Sequence, residues 1–166
     1  MADRLKKVSE KDKDILFKWV NDEMCRKNSF HSHEISYGEH CEWFEKKLSD
    51  PMCYMFLLYC DDDQIGQIRI DCDGEIGCVS YFVAFEYRGQ GHGDNIIRLI
   101  EKEMYGKIKK IVSYVKYDNV ASQHVFINNN YNEKKEDNYL KYEKEITVAD
   151  NISKEFISGG DNCSYE

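Results

Sequence analysis

The spacing of hydrophobic residues changes along this chain, and each change marks a different predicted element. Residues 4–8 predict a short first strand. Ser9 and Asp12 then have the spacing of a helix cap, and the apolar residues that follow recur at helical spacing. Those apolar residues are Ile15, Leu16, Trp19 and Val20. Residues 21–34 are polar and have no regular period, so we expect an irregular segment there.

A second helix is predicted between Ser36 and Pro51. Glu39 completes a capping box with Ser36, and Pro51, the only proline of the chain, cannot continue a helix. Three apolar runs separated by turn residues come next and predict antiparallel strands joined by hairpins. These strands cover residues 53–60, 64–71 and 75–83.

The second half of the chain predicts a parallel crossover followed by a closing hairpin. A helical run at residues 95–105 separates the third of those strands from another at residues 109–115, and this separation fits a parallel connection. Asp118-Asn119 then caps a further helix, and two short strands close the sheet. The last three elements cover residues 120–128, 131–133 and 139–146.

This order of elements predicts one α/β domain with a central mixed sheet over residues 1–148. A chain of 166 residues is long enough to bury a sizeable core within one domain. Residues 149–166 are polar and poor in core residues, so we expect them to form a frayed C-terminal tail.

Charge and cysteine usage narrow the classes of partner. The formal net charge of −8 argues against a nucleic-acid surface, which needs clustered Lys and Arg, although one local site can still bind a phosphorylated ligand. The seven cysteines form no Cys-x-x-Cys pair, so we expect no structural zinc and no other metal. The odd cysteine count, the charged N-terminus and the lack of an apolar span favour a cytoplasmic protein that binds no membrane. We expect a monomer or a homodimer.

A glycine-rich segment, Tyr-Arg-Gly-Gln-Gly-His-Gly at residues 87–93, separates the third predicted strand from the helix after it. Glycines let a backbone come close to a pyrophosphate, and the first amides of a helix have no internal partner. Arg88 adds a fork of donors. The spacing Arg-x-x-Gly-x-Gly is neither that of the P-loop nor that of the dinucleotide fingerprint. The segment therefore predicts a phosphate cradle of another kind.

This spacing resembles the coenzyme A loop of the GNAT acetyltransferase superfamily. A second segment, Asn119-x-x-Ser122-x-x-x-Phe126-x-x-x-Asn130-Tyr131, resembles the family's Asn-x-x-Ser/Ala-x-x-x-Tyr-x-x-x-Gly-Phe. The order of elements also matches the family's fold over about residues 3–147. Two residues depart from the pattern. Phe126 replaces the usual Tyr and removes a hydroxyl, whereas Asn130 replaces the usual Gly, a mild change because Asn tolerates a positive φ.

The resemblance implies that acetyl-CoA is the cosubstrate, and it assigns residues to each part of that molecule. Phe82 and Val83 would pair with the pantetheine amides where two parallel strands splay apart. Asn119 would contact the pantetheine arm, and Phe126 would pack against the thioester. The loop amides would hold the pyrophosphate, namely those of Arg88, Gly89, Gln90, Gly91, His92, Gly93 and Asp94.

Acyl transfer to an amine needs a base, because free amines are mostly protonated at pH 7. Some GNAT enzymes carry a Glu on the strand before the loop, so Glu75 is the first candidate and His40 the second. The alternative for Glu75 is an exposed carboxylate beside a turn. Because Phe126 offers no hydroxyl, the leaving thiolate would be served by Tyr81, Tyr117 or water. A backbone N–H near Val83 would stabilise the oxyanion.

Residues 21–44 would cover the acceptor in this fold, and their pattern resembles amino-sugar nucleotide N-acetyltransferases. Arg26 would meet a nucleotide phosphate, while Phe30 and Trp43 would stack on a sugar or base unless they pack in the core. Ser29 and His40 would add short polar contacts. We therefore expect a small-molecule amine acceptor, a 4-amino-4,6-dideoxy sugar nucleotide. A peptide or protein N-terminus remains an alternative, as does a coenzyme A-binding module without turnover.

Overall fold

Strand order defines the architecture of residues 2–147, the part of the chain that the computed structural model describes. Within it there are seven strands: β1 (Asp3–Lys7), β2 (Cys53–Cys60), β3 (Asp63–Asp73), β4 (Ile76–Val83), β5 (Lys110–Val115), β6 (Asn132–Lys135) and β7 (Leu140–Glu145). They form one sheet in the order β1-β2-β3-β4-β5-β7-β6. Only β4 and β5 run parallel, and every other neighbouring pair in this part of the chain is antiparallel.

Helices cover both faces of this sheet and bury two separate apolar clusters. Ile96, Ile100 and Phe126 pack from two helices, α4 and α5, against one face. Leu16 and Phe44 pack from α1 and α3 against the other. The helices are α1 (Lys13–Val20), α2 (Glu23–Asn28), α3 (Tyr37–Ser49), α4 (His92–Met104) and α5 (Val120–Asn128). None of them is long and apolar enough to cross a lipid bilayer.

The predicted mixed α/β fold is confirmed, and β2 has the predicted bounds. The prediction of an irregular segment at residues 21–34 is wrong in part, because it contains α2. The carboxylate of Asp22 starts this helix by accepting from the amides of Met24 and Cys25, both at 3.1 Å. The predicted tail at residues 149–166 lies outside the described residues.

Helix α4 also begins earlier than its hydrophobic period predicts. It starts at His92 rather than at residue 95, because Gly91 takes the N-cap position with a left-handed φ of 88°. Residues 92–94 therefore belong to the first turn of a helix, and their amides have the orientation of helix-terminal donors.

The parallel strands β4 and β5 pair over a short stretch and then separate. Their register joins Ile76 to Lys110, and it ends where Cys78 meets Val112. Beyond that point, β4 continues to Val83 without a paired strand on that side. The splay that the family resemblance implied is therefore present.

The end of α5 explains why Asn130 can replace a glycine. Asn130 has a φ of 64°. Its amide donates to Ile127 O at 3.0 Å, and the next amide, of Tyr131, donates to Phe126 O at 3.0 Å. This pair of bonds is a Schellman motif, with Asn130 at its left-handed position. The rings of Phe126 and Tyr131 add the apolar contact that accompanies such a motif, at 5.1 Å between centroids.

A substitution series at Asn130 tests this helix end. Asn130→Val should lower the free energy of unfolding by about 1–2 kcal/mol, because a β-branched residue is strained at positive φ. Asn130→Gly should stay within about 1 kcal/mol of the parent. Urea denaturation gives these values, and Asn132→Val on the exposed strand β6 serves as the control. Equal losses in both valine variants would contradict the assignment.

Candidate active site

The backbone of β4 presents amide donors to the space left by β5. Ala84 N donates to Ile65 O at 2.8 Å, and Val83 stands opposite Gly66. In an antiparallel ladder, residues that exchange hydrogen bonds alternate with residues whose backbone faces the other side. The backbone groups of Tyr81 and Val83 therefore face the splay.

Phe82 does not share this orientation. Phe82 stands opposite Gln67 of β3. Like Ala84, two residues further on, it directs its backbone N–H and C=O toward β3 and not toward the splay. The expectation that Phe82 pairs with pantetheine is therefore not met by its backbone, and the backbone groups that face the splay beside those of Val83 are those of Tyr81. The Phe82 side chain packs instead in the α1–α3 cluster, 5.7 Å from the Trp19 ring.

The glycine-rich loop forms a concave surface lined by amides. Gly89 and Gly91 have φ values of 73° and 88°, which favour glycine, and a Cβ at either would project into open space. Among residues 2–147, no acceptor takes the amides of residues 89–94, whereas the Arg88 amide donates to Phe85 O at 3.3 Å. Six consecutive donors are thus available for an anion.

A cleft of about 1110 Å³ joins this loop to the splay. One half of it, which we call the coenzyme half, is formed by the loop and α5 and includes Gly91, Asn119 and Ser122. The other half, the acceptor half, is formed by the segment after α2, by α3 and by β3. The arrangement provides an anion cradle, a strand edge and a second compartment in one continuous space.

The sequence profile of the family described as "Acetyltransferase (GNAT) domain" matches residues 4–131. The chain belongs to this GNAT family. Family membership confirms the sequence-based prediction of an acetyl-CoA-dependent N-acetyltransferase. A comparison with curated proteins gave no match.

Solved structures of GNAT proteins share the fold at low identity. Spermidine N-acetyltransferase from Vibrio cholerae, in complex with CoA and spermine, is 15% identical, with a TM-score of 0.79 and coverage of 87% of this chain and 95% of that one. Campylobacter jejuni N-acetyltransferase PseH, with acetyl coenzyme A, is 18% identical, with a TM-score of 0.69 and coverage of 88% and 100%. RimL, a ribosomal L7/L12 alpha-N-protein acetyltransferase with coenzyme A, is 16% identical, with a TM-score of 0.77 and coverage of 88% and 95%.

Three loop side chains of this GNAT domain bond to the protein and turn away from the coenzyme half, and Arg88 is the first of them. The Arg88 guanidinium donates to Val83 O at 2.8 Å and to the Asp22 carboxylate at 3.0 Å, so it braces the loop rather than offering a free fork. Burial acts to raise the pKa of Asp22, but the Arg88 contact and two helix amides outweigh it and hold that pKa below its usual value. Gln90 donates to Glu86 O at 3.0 Å.

His92 is the third of these side chains. It is buried and pairs through Nδ1 with the Asp3 carboxylate at 2.8 Å, while Asn95 donates to the same oxygen at 2.9 Å. Asp3, His92 and Cys60 place their ligand-type atoms within 4.8 Å of one another. The chemistry of this set would suit a transition metal, but the His92–Asp3 hydrogen bond already joins two of its members. In this GNAT domain the His92–Asp3 hydrogen bond connects α4 to β1.

Tyr81 carries a hydroxyl at the wall of the cleft, next to α5. Its OH donates to Ser122 Oγ at 3.2 Å, and both residues line the cleft. Burial raises the pKa of Tyr81 to about 12, and the Ser122 contact acts against that shift. Phe126 lies behind it, fully buried and stacked on Tyr142 at 5.3 Å, and is not a cleft residue. The predicted contact between Phe126 and the thioester does not fit this burial, whereas Tyr81 lines the cleft in front of Phe126.

Two other candidates for proton transfer lie outside the cleft. Glu75 precedes β4 at the end remote from the loop, pairs with Lys109 at 3.0 Å and has a side chain that is 63% exposed. Tyr81 lies six positions further along, about 20 Å in an extended strand. The structure thus favours the alternative for Glu75, an exposed strand-end carboxylate. The Tyr117 hydroxyl donates to Glu136 O and is likewise not a cleft residue.

Arg26 and Ser29 hold the acceptor wall together instead of projecting as ligands. All three guanidinium nitrogens of Arg26 donate to the protein, to Val20 O, to His31 O at 2.9 Å and to Ser29 Oγ at 3.1 Å. Ser29 in turn donates to Cys25 O at 2.7 Å. With His33 O as a further acceptor at 3.3 Å, four of the five N–H donors of Arg26 are used, so the predicted phosphate contact could be bidentate only if some of these bonds broke.

The aromatic candidates and His40 do line the acceptor half. His40 is buried, contacts Lys13 O through Nε2 at 2.9 Å and stacks on Trp43 with 5.8 Å between ring centroids. Because a carbonyl only accepts, Nε2 carries the hydrogen and the basic lone pair lies on Nδ1. Phe30 is 51% exposed, with its ring edge-on to Tyr139. Of the predicted acceptor residues, Phe30 therefore keeps the most open face.

Sequence reasoning missed Gln67 and Arg69, which line the acceptor half from β3. Their signal was present as polar residues alternating with the buried Ile68 and Ile70. Arg69 donates through Nε to Asp71 at 2.8 Å. Alternation alone indicates a solvent-facing side of a strand, and only the placement of α3 over this side turns it into a cleft wall.

Replacing Gly91 tests the cradle. Gly91→Val should weaken acetyl-CoA binding at least 10-fold, because the side chain fills the concave surface and strains a left-handed φ. Gly106→Val is the matched control, since Gly106 has a φ of 80°, similar open space and a position outside the cleft. Calorimetry at a temperature where both variants are folded measures the affinity. Equal affinity of the two variants would show that the loop does not hold the coenzyme.

Proposed function

We propose that this GNAT enzyme transfers the acetyl group of acetyl-CoA to the primary amine of an amino-sugar nucleotide. The observation that carries the proposal is the continuity of the cleft, in which the free amides of residues 89–94 line one half and the Arg69 side chain lines the other. The resemblance of residues 21–44 to amino-sugar nucleotide N-acetyltransferases supports the choice of acceptor. The C. jejuni protein PseH, an N-acetyltransferase whose solved structure contains acetyl coenzyme A, shares the fold.

Acetyl-CoA fits the coenzyme half on three counts. Its pyrophosphate would accept from the amides of residues 89–94 at the start of α4. The pantetheine would lie along β4, where the backbone of Tyr81 offers both a donor and an acceptor. The side chain of Asn119 caps α5 by accepting from Ser122 N and lies beside this path.

The charge of the acceptor half supports an anionic acceptor over a polyamine. Arg69, His31 and His33 line it, and the carboxylate among its lining residues is Glu39. Glu39 is held by the Ser36 amide at 2.8 Å in the capping box of α3. A polycation would be repelled by the Arg69 guanidinium, and the Glu39 carboxylate that could bind it already serves the helix cap. A phosphate would instead be attracted by the Arg69 guanidinium.

The reaction then proceeds by direct attack within a complex of both substrates. The amine nitrogen forms a bond to the thioester carbonyl carbon, and the oxyanion accepts from the Val83 amide. The carbon–sulfur bond breaks as the tetrahedral species collapses. The proton that leaves the amine passes to His40 Nδ1 or to water, and the thiolate takes a proton from solvent to give free coenzyme A.

Tyr81 assists the departure of sulfur by redirecting its one hydroxyl hydrogen from Ser122 Oγ to the sulfur, while the Ser122 hydroxyl donates to Tyr81 Oη in its place. Complete proton transfer from a hydroxyl with a pKa of about 12 to a thiolate whose thiol has a pKa of about 8.5 would be uphill by roughly 5 kcal/mol. A hydrogen bond to the developing negative charge needs no such transfer, and bonds to charged groups contribute about 1.5–3 kcal/mol. The raised pKa also keeps the hydroxyl protonated at neutral pH.

Removal of the Tyr81 hydroxyl should slow the chemical step. Tyr81→Phe should lower kcat by about 10- to 100-fold, with the KM for acetyl-CoA unchanged. Tyr117→Phe is the matched control, because its hydroxyl donates to Glu136 O outside the cleft. Steady-state release of coenzyme A thiol gives both constants. A basic limb of the pH profile below pH 10 that vanished in Tyr81→Phe would contradict the assigned role.

The acceptor is tested by competition between classes of amine. At equal concentration, a UDP-linked 4-amino-4,6-dideoxy sugar should give a kcat/KM at least 100-fold above that of an N-terminal peptide or spermidine. Mass spectrometry of the products identifies the acetylated compound. Preferential acetylation of the peptide would favour a protein N-terminal acetyltransferase. Binding of acetyl-CoA without thiol release for any amine would favour a module without turnover.

A further inference from the structure

Gln67 carries a buried polar atom that the protein does not satisfy. Its side-chain Oε1 is inaccessible to solvent and has no hydrogen-bond partner among residues 2–147. Such an atom costs about 1–3 kcal/mol when it is left unpaired, so its presence in a native structure requires an explanation. Gln67 also lines the cleft. A donor supplied by a bound molecule would satisfy this oxygen.

The position of Gln67 on β3 places it beside the reacting centre. It stands opposite Phe82, the residue between the two β4 amides that face the splay. Its side chain lies on the sheet face covered by α1 and α3, where Phe82 also packs. A donor bound at Gln67 would therefore approach the thioester from the acceptor half.

Arg69 lies two residues further along the same strand face and is held rigidly. Its Nε donates to Asp71 at 2.8 Å, and its guanidinium lies over the Trp43 ring at 5.2 Å. Asp71 also accepts from Lys47 at 2.7 Å. Burial acts to raise the pKa of Asp71, but these cations outweigh it and hold the pKa below its usual value. The carboxylate is thus a stable anchor for the guanidinium.

The terminal nitrogens of Arg69 remain available. Within the described part of the chain, its polar contact is the single bond from Nε to Asp71, so neither Nη atom donates to the protein. A guanidinium fixed at Nε and presenting two Nη groups matches a phosphate or carboxylate oxygen pair. Trp43, which stacks on His40 and lies under Arg69, orients the cation rather than offering an open face to a base.

We infer that Gln67 and Arg69 form a two-point acceptor subsite, in which Gln67 Oε1 accepts from the attacking amine and Arg69 binds the acceptor's phosphate. This inference rests on the proposed function and names the contacts that select its substrate. Residues two apart on a strand are separated by about 6.6–6.8 Å. One sugar ring separates a C4 amine from an anomeric phosphate by a comparable span. An amine that donates to Gln67 keeps its lone pair free for the thioester.

The subsite is tested with two acceptors that differ only in the phosphate. They are the UDP-linked 4-amino sugar and the uncharged methyl glycoside of the same amino sugar. Arg69→Met should lower kcat/KM for the nucleotide sugar by about 10- to 100-fold and leave the methyl glycoside unchanged. Gln67→Met should lower kcat/KM for both compounds by about 5-fold or more, because both carry the amine. The KM for acetyl-CoA should stay constant in each variant.

Arg98→Met, on the exposed face of α4 and outside the cleft, is the matched control and should change neither acceptor. Melting temperatures of all variants identify a general loss of structure. An equal loss for both acceptors in Arg69→Met would show that Arg69 acts only through packing and would overturn its assignment. Parental kinetics in Gln67→Met would overturn that of Gln67.

A binding measurement separates this inference from the proposed function. With the coenzyme half saturated by coenzyme A, UDP alone should bind the parent and bind Arg69→Met at least 10-fold more weakly. If the parent acetylates neither sugar, the amino-sugar proposal fails, yet Arg69-dependent binding of UDP would still support an anion subsite. If UDP does not bind, or binds both proteins equally, the anion subsite is wrong whichever amine is acetylated.

Discussion

The unequal pairing of the backbone along β4 is the constraint on which the rest of this structure depends. Where β5 leaves, three carbonyls of β4 have no strand partner, and unpaired backbone groups are costly when buried. Side chains satisfy two of the three, since Ser113 donates to Val79 O and Arg88 donates to Val83 O. The backbone groups that remain are the N–H and C=O of Tyr81 and the N–H of Val83. The edge thus offers two donors and one acceptor to an extended ligand.

The same arrangement links the two halves of the cleft. Arg88 reaches from the glycine-rich loop to Asp22, and the Asp22 carboxylate simultaneously starts α2, which precedes the acceptor wall. One carboxylate therefore fixes the position of the loop and of the helix together. Because both side chains are partly shielded from solvent, this contact is somewhat less screened than a fully exposed ion pair. The glycine-rich loop and the acceptor wall are consequently positioned by one shared contact.

Sequence predicted the features that depend on neighbouring residues. The apolar run of β2, the capping box before α3 and the glycines of the loop are local signals, and each predicted its element. The sequence-based prediction failed for side chains whose partners lie far away along the chain. Arg88 meets a residue 66 positions away and His92 one 89 positions away, so no local pattern could direct them inward. Glu75 was misplaced for a related reason, because alternation gives the face of a strand but not its distance from the site.

The departure at Phe126 is best understood together with Tyr81. The Phe126 ring is enclosed by the rings of Tyr131, Tyr142 and Tyr81. Their centroids lie 5.1, 5.3 and 6.1 Å from that of Phe126, and Tyr142 is stacked on it. A hydroxyl there would have to cross the Tyr81 ring to reach the cleft, or be buried at a cost of about 1–3 kcal/mol without a partner. Tyr81 already provides a hydroxyl on the cleft side, oriented by Ser122. In this chain the hydroxyl that faces the cleft therefore lies on the strand and not on the helix, and Phe126 fills the buried space behind it.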